Sequence, residues 1–208
     1  MASIVLVGAG GHAAACIDVI EQQGCFAVAA VVGEAAEVGK NVLGYPVIGT
    51  DADLPTLIAQ YGNALVTVGQ IKTPELRIRL FTRLAQLGAT MPTVVSPRAY
   101  VSPHATLGAG SIVMHGAVVN AGATIGRNCI LNSMSLIEHH ANIADHCHIA
   151  TAAVVNGAVT IGAGTFVGSD TAIRQGVRIG ERCLIGMGQR ILTDCKAGTT
   201  LPPPEEHS

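Results

Sequence analysis

The chain has no tryptophan, and three phenylalanines and three tyrosines are its whole aromatic complement. Aromatic side chains usually supply much of a core's volume, so a long apolar chain almost without them points to a narrow interior filled by repeated medium-sized aliphatics. Charge is also scarce: 12 basic residues stand against 14 acidic ones, net −2, and the only lysines are Lys40, Lys72 and Lys196. No basic stripe with interleaved aromatics exists, which speaks against nucleic acid as a partner. No apolar run has the roughly 20 residues of a membrane span. Residues 1–20 are apolar, yet no Lys or Arg precedes the apolar stretch, and Gly8, Gly10, Gly11 and His12 interrupt it, which is not the pattern of a signal peptide. The six cysteines include no CxxC pair. A disulfide framework and a cysteine zinc site are therefore not indicated, and the expected location is cytoplasmic.

What the chain does have is a period of six. Every sixth residue from Val95 to Ile191 is Val, Leu or Ile, through Val101, Leu107, Val113, Val119, Ile125, Leu131, Ile137 and onward without a break. From Val95 to Ile149, four positions after each aliphatic sits a small residue: Ala99, Ala105, Ser111, Ala117, Ala123, Cys129, Ser135, Ala141, Cys147 and Ala153. Six matches neither a helix nor an alternating strand; it is the hexapeptide period of a parallel β-helix. Three hexads make one triangular coil, so residues eighteen apart stack on each other. Five to six coils at ~4.8 Å per layer give a prism roughly 27 Å long. Cys129, Cys147, Cys183 and Cys195 all occupy the small position and read as packing residues.

Residues 1–91 follow another rule, with strands predicted at Ile4–Val7, Phe26–Val32, Tyr45–Ile48 and Ala64–Val68, the last ending at Gly69. Helices are predicted at Ala13–Gln23, Asp51–Tyr61 and Pro74–Leu87, the last with Pro74 in its first turn. The expected organisation is a small α/β domain over 1–91, a β-helix over 92–196 and a C-terminal tail over 197–208.

Gly8-x-Gly10-x-x-Ala13 lies between the first strand and the first helix, where backbone amides and a helix N-terminus attract an anionic phosphate. Gly8 permits a tight turn, and Gly10 allows a ligand to approach the backbone. The second strand does not end in an acid, although Glu34 follows two residues later, and the unit is small for a full dinucleotide fold. A nucleotide diphosphate fits this better than NAD.

Five of the eight histidines fall in the β-helix near its middle: His115, His139, His140, His146 and His148. Ile137 points inward, so Glu138, His139 and His140 occupy the turn that follows. Asn120 and Asn156, one coil to either side, stack with Glu138. An imidazole beside a carboxylate on an otherwise inert scaffold is a candidate general base. Clustered imidazoles also suit a metal. The γ-class carbonic anhydrases use such a β-helix with three histidines, and Leu184-Ile185-Gly186-Met187-Gly188 resembles a segment they carry, but they have no N-terminal phosphate-loop domain.

Four ordered motifs carry a closer resemblance: Gly8-Ala-Gly-Gly-His12, Leu43-Gly-Tyr-Pro-Val-Ile-Gly49, Val95-Ser-Pro97 and Ile137-Glu-His139. Together, over residues 3 to about 195, they resemble the family of sialic acid O-acetyltransferases and bacterial amino-sugar N-acetyltransferases, whose best-known types are called NeuD and PglD. The resemblance implies a Rossmann-like α/β domain followed by a left-handed β-helix, a hand against the usual crossover rule. It also implies a homotrimer with acetyl-CoA held between subunits and no metal. The expected activity is acetyl-CoA-dependent N-acetylation of a nucleotide-linked amino-sugar in surface-glycan biosynthesis. By motif, His139 would be the general base with Glu138 beside it. His148 and Gly157 would line the acetyl-CoA site, and Gly8, Gly10, Gly11, His12 and Gly69 the nucleotide-sugar site. O-acetylation of a sialic-acid-like sugar, a γ-carbonic-anhydrase-like metal enzyme and a non-catalytic trimeric scaffold stand as alternatives.

Three departures from the family pattern matter. His140 stands where the family usually has Asp or Glu, so the orientation of His139 falls to Glu138 or Asn120. Gly33-Glu-Ala-Ala36 replaces an acidic run, and Leu201-Pro-Pro-Pro-Glu-Glu replaces a Gly-x-Pro-Ala-Lys-like ending.

Overall fold

The structure, a computed structural model, describes residues 1–203. The chain divides into two compact units, one of Met1–Gly69 with Glu75–Pro97, the other of Gln70–Pro74 with the chain from Arg98 onward.

The first unit is a five-stranded sheet. Its strands are β1 (Ala2–Val7), β2 (Phe26–Val32), β3 (Asn41–Val42), β4 (Tyr45–Gly49) and β5 (Ala64–Val66), in the order β3-β4-β2-β1-β5. Helices α1 (Gly11–Gln23), α2 (Leu54–Tyr61) and α3 (Glu75–Gln86) connect or follow them. The β-branched runs are buried through and through, as parallel strands covered on both faces require: Ile4, Val5, Leu6 and Val7 are each at most 1% exposed. Val5, Val7, Val32 and Val66 share a core with Leu54, Leu57 and Ile58 of α2 and Leu80, Phe81 and Leu84 of α3. Left-handed glycines stop two of the helices, Gly24 after α1 and Gly62 after α2, each donating its N–H back into the last turn.

Several boundaries differ from the sequence reading. Helix α1 begins at Gly11, two residues earlier than Ala13. A 3-10 turn, Asp51–Asp53, precedes α2, with Thr50 and Asp53 forming a capping box. Pro74 precedes α3 rather than entering its first turn. One strand pair is antiparallel: β3 and β4 form a hairpin around Leu43 and Gly44, both at positive φ (48° and 88°), which is the twist a two-residue hairpin prefers. The first unit also extends past residue 91 to Pro97, with Val94 fully buried and its short strand packed on α1.

The second unit is a parallel β-helix of two-residue strands on three faces. On one face Val119 pairs with Ile137, Val155, Ile173 and Ile191 in succession. On the next, Ile125 leads to Ile143, Ile161 and Ile179, and on the third Val113 leads to Leu131, Ile149, Val167 and Ile185. Each step is the eighteen residues that the hexad period predicts. Every aliphatic from Val113 to Ile185 in these stacks is at most 2% exposed, contributing about 1.5–3 kcal/mol apiece from burial. The helix also outlasts the hexads: Thr200–Leu201, assigned by sequence to the tail, pairs with Leu184–Ile185. Residues 204–208 of that tail lie outside the described residues.

The small residues do not themselves make the bends. Ala117, Ala123, Cys129, Ser135, Ala141, Cys147 and Ala153 are at most 1% exposed and fill the corners from within. The residue just before each one takes the left-handed conformation, at Gly116, Gly122, Asn128, Met134, His140, His146 and Ala152. For a side-chain residue this conformation costs about 1–2 kcal/mol. The coil below offsets it: each such N–H donates to a carbonyl one turn back, as His140 N–H does to Ala121 O (3.1 Å) and Ala158 N–H to His139 O (2.9 Å).

Candidate active site

In the first unit, β1 lies between β2 and β5, so the chain leaves its carboxyl end where the strand order reverses. Open α/β sheets bind ligands at such a switch point. The Gly8–His12 loop begins there. Gly8 has φ 121°, and a Cβ on it would stand 2.6 Å from Val68 Cγ2 and 2.7 Å from the Val68 nitrogen. Its carbonyl accepts from Thr67 Oγ1 (2.7 Å), and its N–H donates to Val32 O (2.8 Å). Gly8 therefore has to be glycine for the fold alone. Gly10 and Gly11 are different: nothing lies within 4 Å of a Cβ on either. The space before them is open, at a helix start with no side-chain cap and no acid in the first turn, the end of a helix that attracts an anion. His12 sits half-buried in that turn and packs its Cβ against Gly69, 3.6 Å from where a Gly69 Cβ would be.

Beneath the loop lies a residue that the sequence reading missed. Arg77, 1% exposed, donates through Nη1 to Val66 O and Val68 O, both at 2.8 Å. The signal was present: Arg77 takes the inward position one turn before Leu80, Phe81 and Leu84, where an apolar residue belongs. Cys16 is near enough to feel its charge, but burial dominates and pushes that thiol up to about 12. In the β-helix the Cys147 thiol is likewise raised, by its hydrogen bond with Cys129 and by burial. These are packing thiols, not nucleophiles.

In the second unit, Glu138, His139 and His140 make the corner after the Leu136–Ile137 strand, with both imidazoles exposed. The structure brings His139 and Gly157 together: a Cβ on Gly157 would stand 2.7 Å from both Cε1 and Nε2 of the His139 ring. Gly157 has no positive φ, so the close approach of this ring, not the backbone, is what calls for glycine there. Glu138 does not hold the ring. Its Oε2 accepts from the His139 backbone N–H at 3.1 Å. Asn156 is also turned elsewhere, donating to Ile173 O at 2.7 Å. The His139 ring instead has its Nδ1 3.2 Å from Nδ1 of His140.

His148 lies on another face of the prism, in the strand His148–Ile149, and only 6% of it is exposed. Its Nδ1 donates to Gln70 O at 2.5 Å, which leaves Nε2 as the acceptor facing the Asn132 amide at 3.2 Å. Phe166 meets the ring edge-on at 5.2 Å. Gln70 continues the tie, donating to His146 O (3.0 Å) and Gly164 O (3.4 Å). Gln70 and Asn132 were not legible as partners, because neither sits in a motif. His139 and His140 thus share one corner, while His115, His146 and His148 lie on other corners and faces. Among the described residues, no three or more His, Cys, Asp or Glu come together in a set that could hold a metal ion.

A small α/β unit with an open glycine loop, followed by hexad coils carrying a corner imidazole, is the architecture of a hexapeptide-repeat acyltransferase. Residues 3–84 match the PglD N-terminal domain, 104–139 the bacterial transferase hexapeptide (six repeats), and 158–191 the hexapeptide repeat of succinyl-transferase. PerB from Caulobacter crescentus, solved in complex with CoA and GDP-perosamine, is 31% identical at a TM-score of 0.90, covering 96% of this chain and 93% of that one. The acetyltransferase domain of PglB from Neisseria gonorrhoeae, in complex with acetyl coenzyme A, is 30% identical at a TM-score of 0.88, covering 95% and 94%. WeeI from Acinetobacter baumannii shares the fold, with 22% identity and a TM-score of 0.85 over 97% of each chain. Among curated protein sequences, none matches. The chain belongs to the NeuD/PglD-like family of hexapeptide-repeat acyltransferases, and its coils are the left-handed β-helix of that family.

Proposed function

We propose that this protein transfers the acetyl group of acetyl-CoA to the amine of a nucleotide-linked amino-sugar, with His139 as general base. The observation that carries the chemistry is the His139 ring, exposed at a rigid corner, seated on Gly157 and bonded through Nδ1, so that Nε2 is the nitrogen left to take a proton. The sugar amine attacks the thioester carbonyl carbon. A C–N bond forms, the C–S bond breaks, the amine proton passes to His139 Nε2, and the imidazolium so formed returns it to the leaving sulfur, so that CoA departs as the thiol and His139 is neutral again. The open Gly10–Gly11 stretch is the seat for the nucleotide phosphates. The similarity to enzymes solved with CoA and GDP-perosamine, or with acetyl coenzyme A, supports both co-substrates. This reading places the protein in the cytoplasm, supplying modified sugars for surface glycans. No helix among the described residues is long and apolar enough to cross a membrane.

The same reading makes the protein a homotrimer. One face of the prism presents Val118, Leu136, Val154 and Ala172 outward, half-buried and uncharged, whereas another presents Thr106, Thr124, Asn142, Thr160 and Arg178, all exposed. The apolar face is the one that self-association covers.

Release of CoA thiol in the presence of GDP-, UDP- or dTDP-linked amino-sugars, with the product's acetyl site located by mass spectrometry, tests the activity. Acetyl on oxygen would select the O-acetyltransferase reading. His139→Ala should lower kcat at least about a hundredfold with little change in KM for acetyl-CoA, the contribution of a positioned base. Retention of most activity would remove His139 from the mechanism.

A further inference from the structure

We propose that His140 is the positioning residue for His139: a neutral imidazole holds the base in its working tautomer, and by taking up a proton itself it switches that base off. The proposal rests on His139 being the base.

The two Nδ1 atoms are 3.2 Å apart, with the rings edge-to-face at 78° and 5.4 Å between centroids. Neither Nδ1 can bond the other unless one proton lies between them. With both rings neutral, the productive arrangement places it on His139 Nδ1, donating to the His140 Nδ1 lone pair. His139 Nε2 is then unprotonated and able to accept the amine proton. If His140 is protonated, both its nitrogens carry hydrogen. The bond reverses, His139 Nδ1 becomes the acceptor, and the His139 proton has to sit on Nε2. A single proton on either ring therefore removes the reactive lone pair.

The local structure fixes His140 in this role. Its left-handed backbone (φ 58°) is pinned by the bond from its N–H to Ala121 O. Its ring fits beside Gly122, where a Cβ would stand 2.9 Å from Cδ2 and 3.0 Å from Nε2. The coils packed on this corner offer Asn120, Ala121 and Gly122 on one side and Asn156, Gly157 and Ala158 on the other, none of which titrates. Glu138 is the other titratable group on the turn, and its carboxylate faces the His139 backbone N–H. By the eighteen-residue register, His104 and Arg174 are the next such groups, each two coils away. His140 is thus the ring's hydrogen-bonding partner on this corner.

A neutral acceptor fixes a tautomer but gives the imidazolium formed in the reaction no opposite charge. That difference sets the test. Enzyme with labelled histidines is titrated by nitrogen NMR, and pH profiles of kcat and kcat/KM are recorded for the wild type, His140→Asn, His140→Ala and His140→Glu. The spectra should show His139 as the Nδ1–H tautomer on the alkaline side, mixing with the Nε2–H tautomer in His140→Ala. His140→Ala should lose about ten- to a hundredfold in kcat through misorientation, with KM for acetyl-CoA unchanged. His140→Asn keeps an acceptor oxygen and suits a left-handed position, so it should restore kcat to within about threefold of wild type at alkaline pH. His140→Glu should move the acid limb up by about one pH unit, because a carboxylate favours the imidazolium. An alkaline His139 in the Nε2–H form, or variants with wild-type rates and profiles, would overturn the proposal. Full activity in His139→Ala would instead overturn the base assignment beneath it, while the tautomer spectra would still report on the pair.

Discussion

Gly157 lies under the imidazole of His139, with the space of its missing Cβ only 2.7 Å from ring atoms Cε1 and Nε2. The contact is between the Cε1–Nε2 edge of the ring and bare backbone. It sets the height at which Nε2 stands over the corner, and it leads to a separable expectation. Gly157→Ala meets no backbone strain, since the residue is not in the left-handed region, yet its methyl must lift or rotate the ring. With His139 as the proposed base, a displacement of about 1 Å would cost up to about a hundredfold. Steady-state kinetics should show kcat reduced at least tenfold, with a thermal midpoint close to wild type. An active Gly157→Ala would mean that the ring leaves this seat in the working enzyme.

The glycines of the first unit should divide by role. Gly10→Val fills open space, so it should leave the thermal midpoint alone, weaken nucleotide-sugar binding by at least tenfold, about 1.4 kcal/mol, and spare acetyl-CoA. Gly8→Ala introduces both a clash with Val68 and an unfavourable φ, so its effect should be lost stability. Calorimetric titration with each co-substrate, beside thermal melts, separates them. If Gly10→Val loses both affinities equally, the loop is a structural turn only.

Leu136, centred on the apolar face, is the residue on which to test assembly. Light scattering on the wild type should give a trimer at micromolar concentration, and Leu136→Asp should shift it to monomer with the β-sheet circular dichroism retained. A wild-type monomer would refute the assembly.

Asp145 supplies a pH dependence of a different origin. Burial alone would raise its carboxyl; the side-chain and backbone bonds from Arg127, then the charges of Arg127 and His146, outweigh this and hold it below the usual carboxylate range. Arg127 closes on it through Nη2 (2.6 Å), Nε (3.0 Å) and its backbone N–H (2.7 Å). A folded-state pKa below the unfolded one gives stability that is present above the unfolded carboxylate range and is lost as pH falls through the folded value. With the Arg127 side chain 61% exposed, screening limits it to about 1 kcal/mol. Urea unfolding should find Asp145→Asn less stable than wild type at neutral pH and equal to it in strong acid; an undiminished gap in acid would contradict this.

The β-helix was legible because its period is carried by single residue types at fixed spacing, and the register from Val119 to Ile137 to Val155 follows by counting. The second half of the first unit was less so. The Leu43–Gly44 hairpin joins strands too short to show alternation, and only its glycine announces the turn. Arg77 defeated the pattern because a charged residue in an apolar stripe reads as an irregularity until the Val66 and Val68 carbonyls are seen above it. Of the candidate site, the corner was legible, since Glu138, His139 and His140 follow the inward Ile137 by counting, but the direction of its side chains was not. Glu138 and Asn120 were the candidates to orient His139, the first as its neighbour in sequence and the second as the residue stacked one coil from Glu138, whereas the structure turns Glu138 to backbone and offers the His140 ring. Side-chain direction at a left-handed residue depends on local torsions that a period of six does not encode.

The left-handed corner residues carry one more consequence. Asn128, Met134, His140, His146, Ala152, Ala158, Asp170 and Arg182 all hold a conformation that side chains resist, and neighbouring coils enforce it whatever the residue is. The interior period and the corner surface are therefore nearly independent alphabets. Substitutions at a corner can rewrite reactivity without renegotiating the prism, so a lineage built on this scaffold can exchange an acid for an imidazole at one rung and keep every other coil in place.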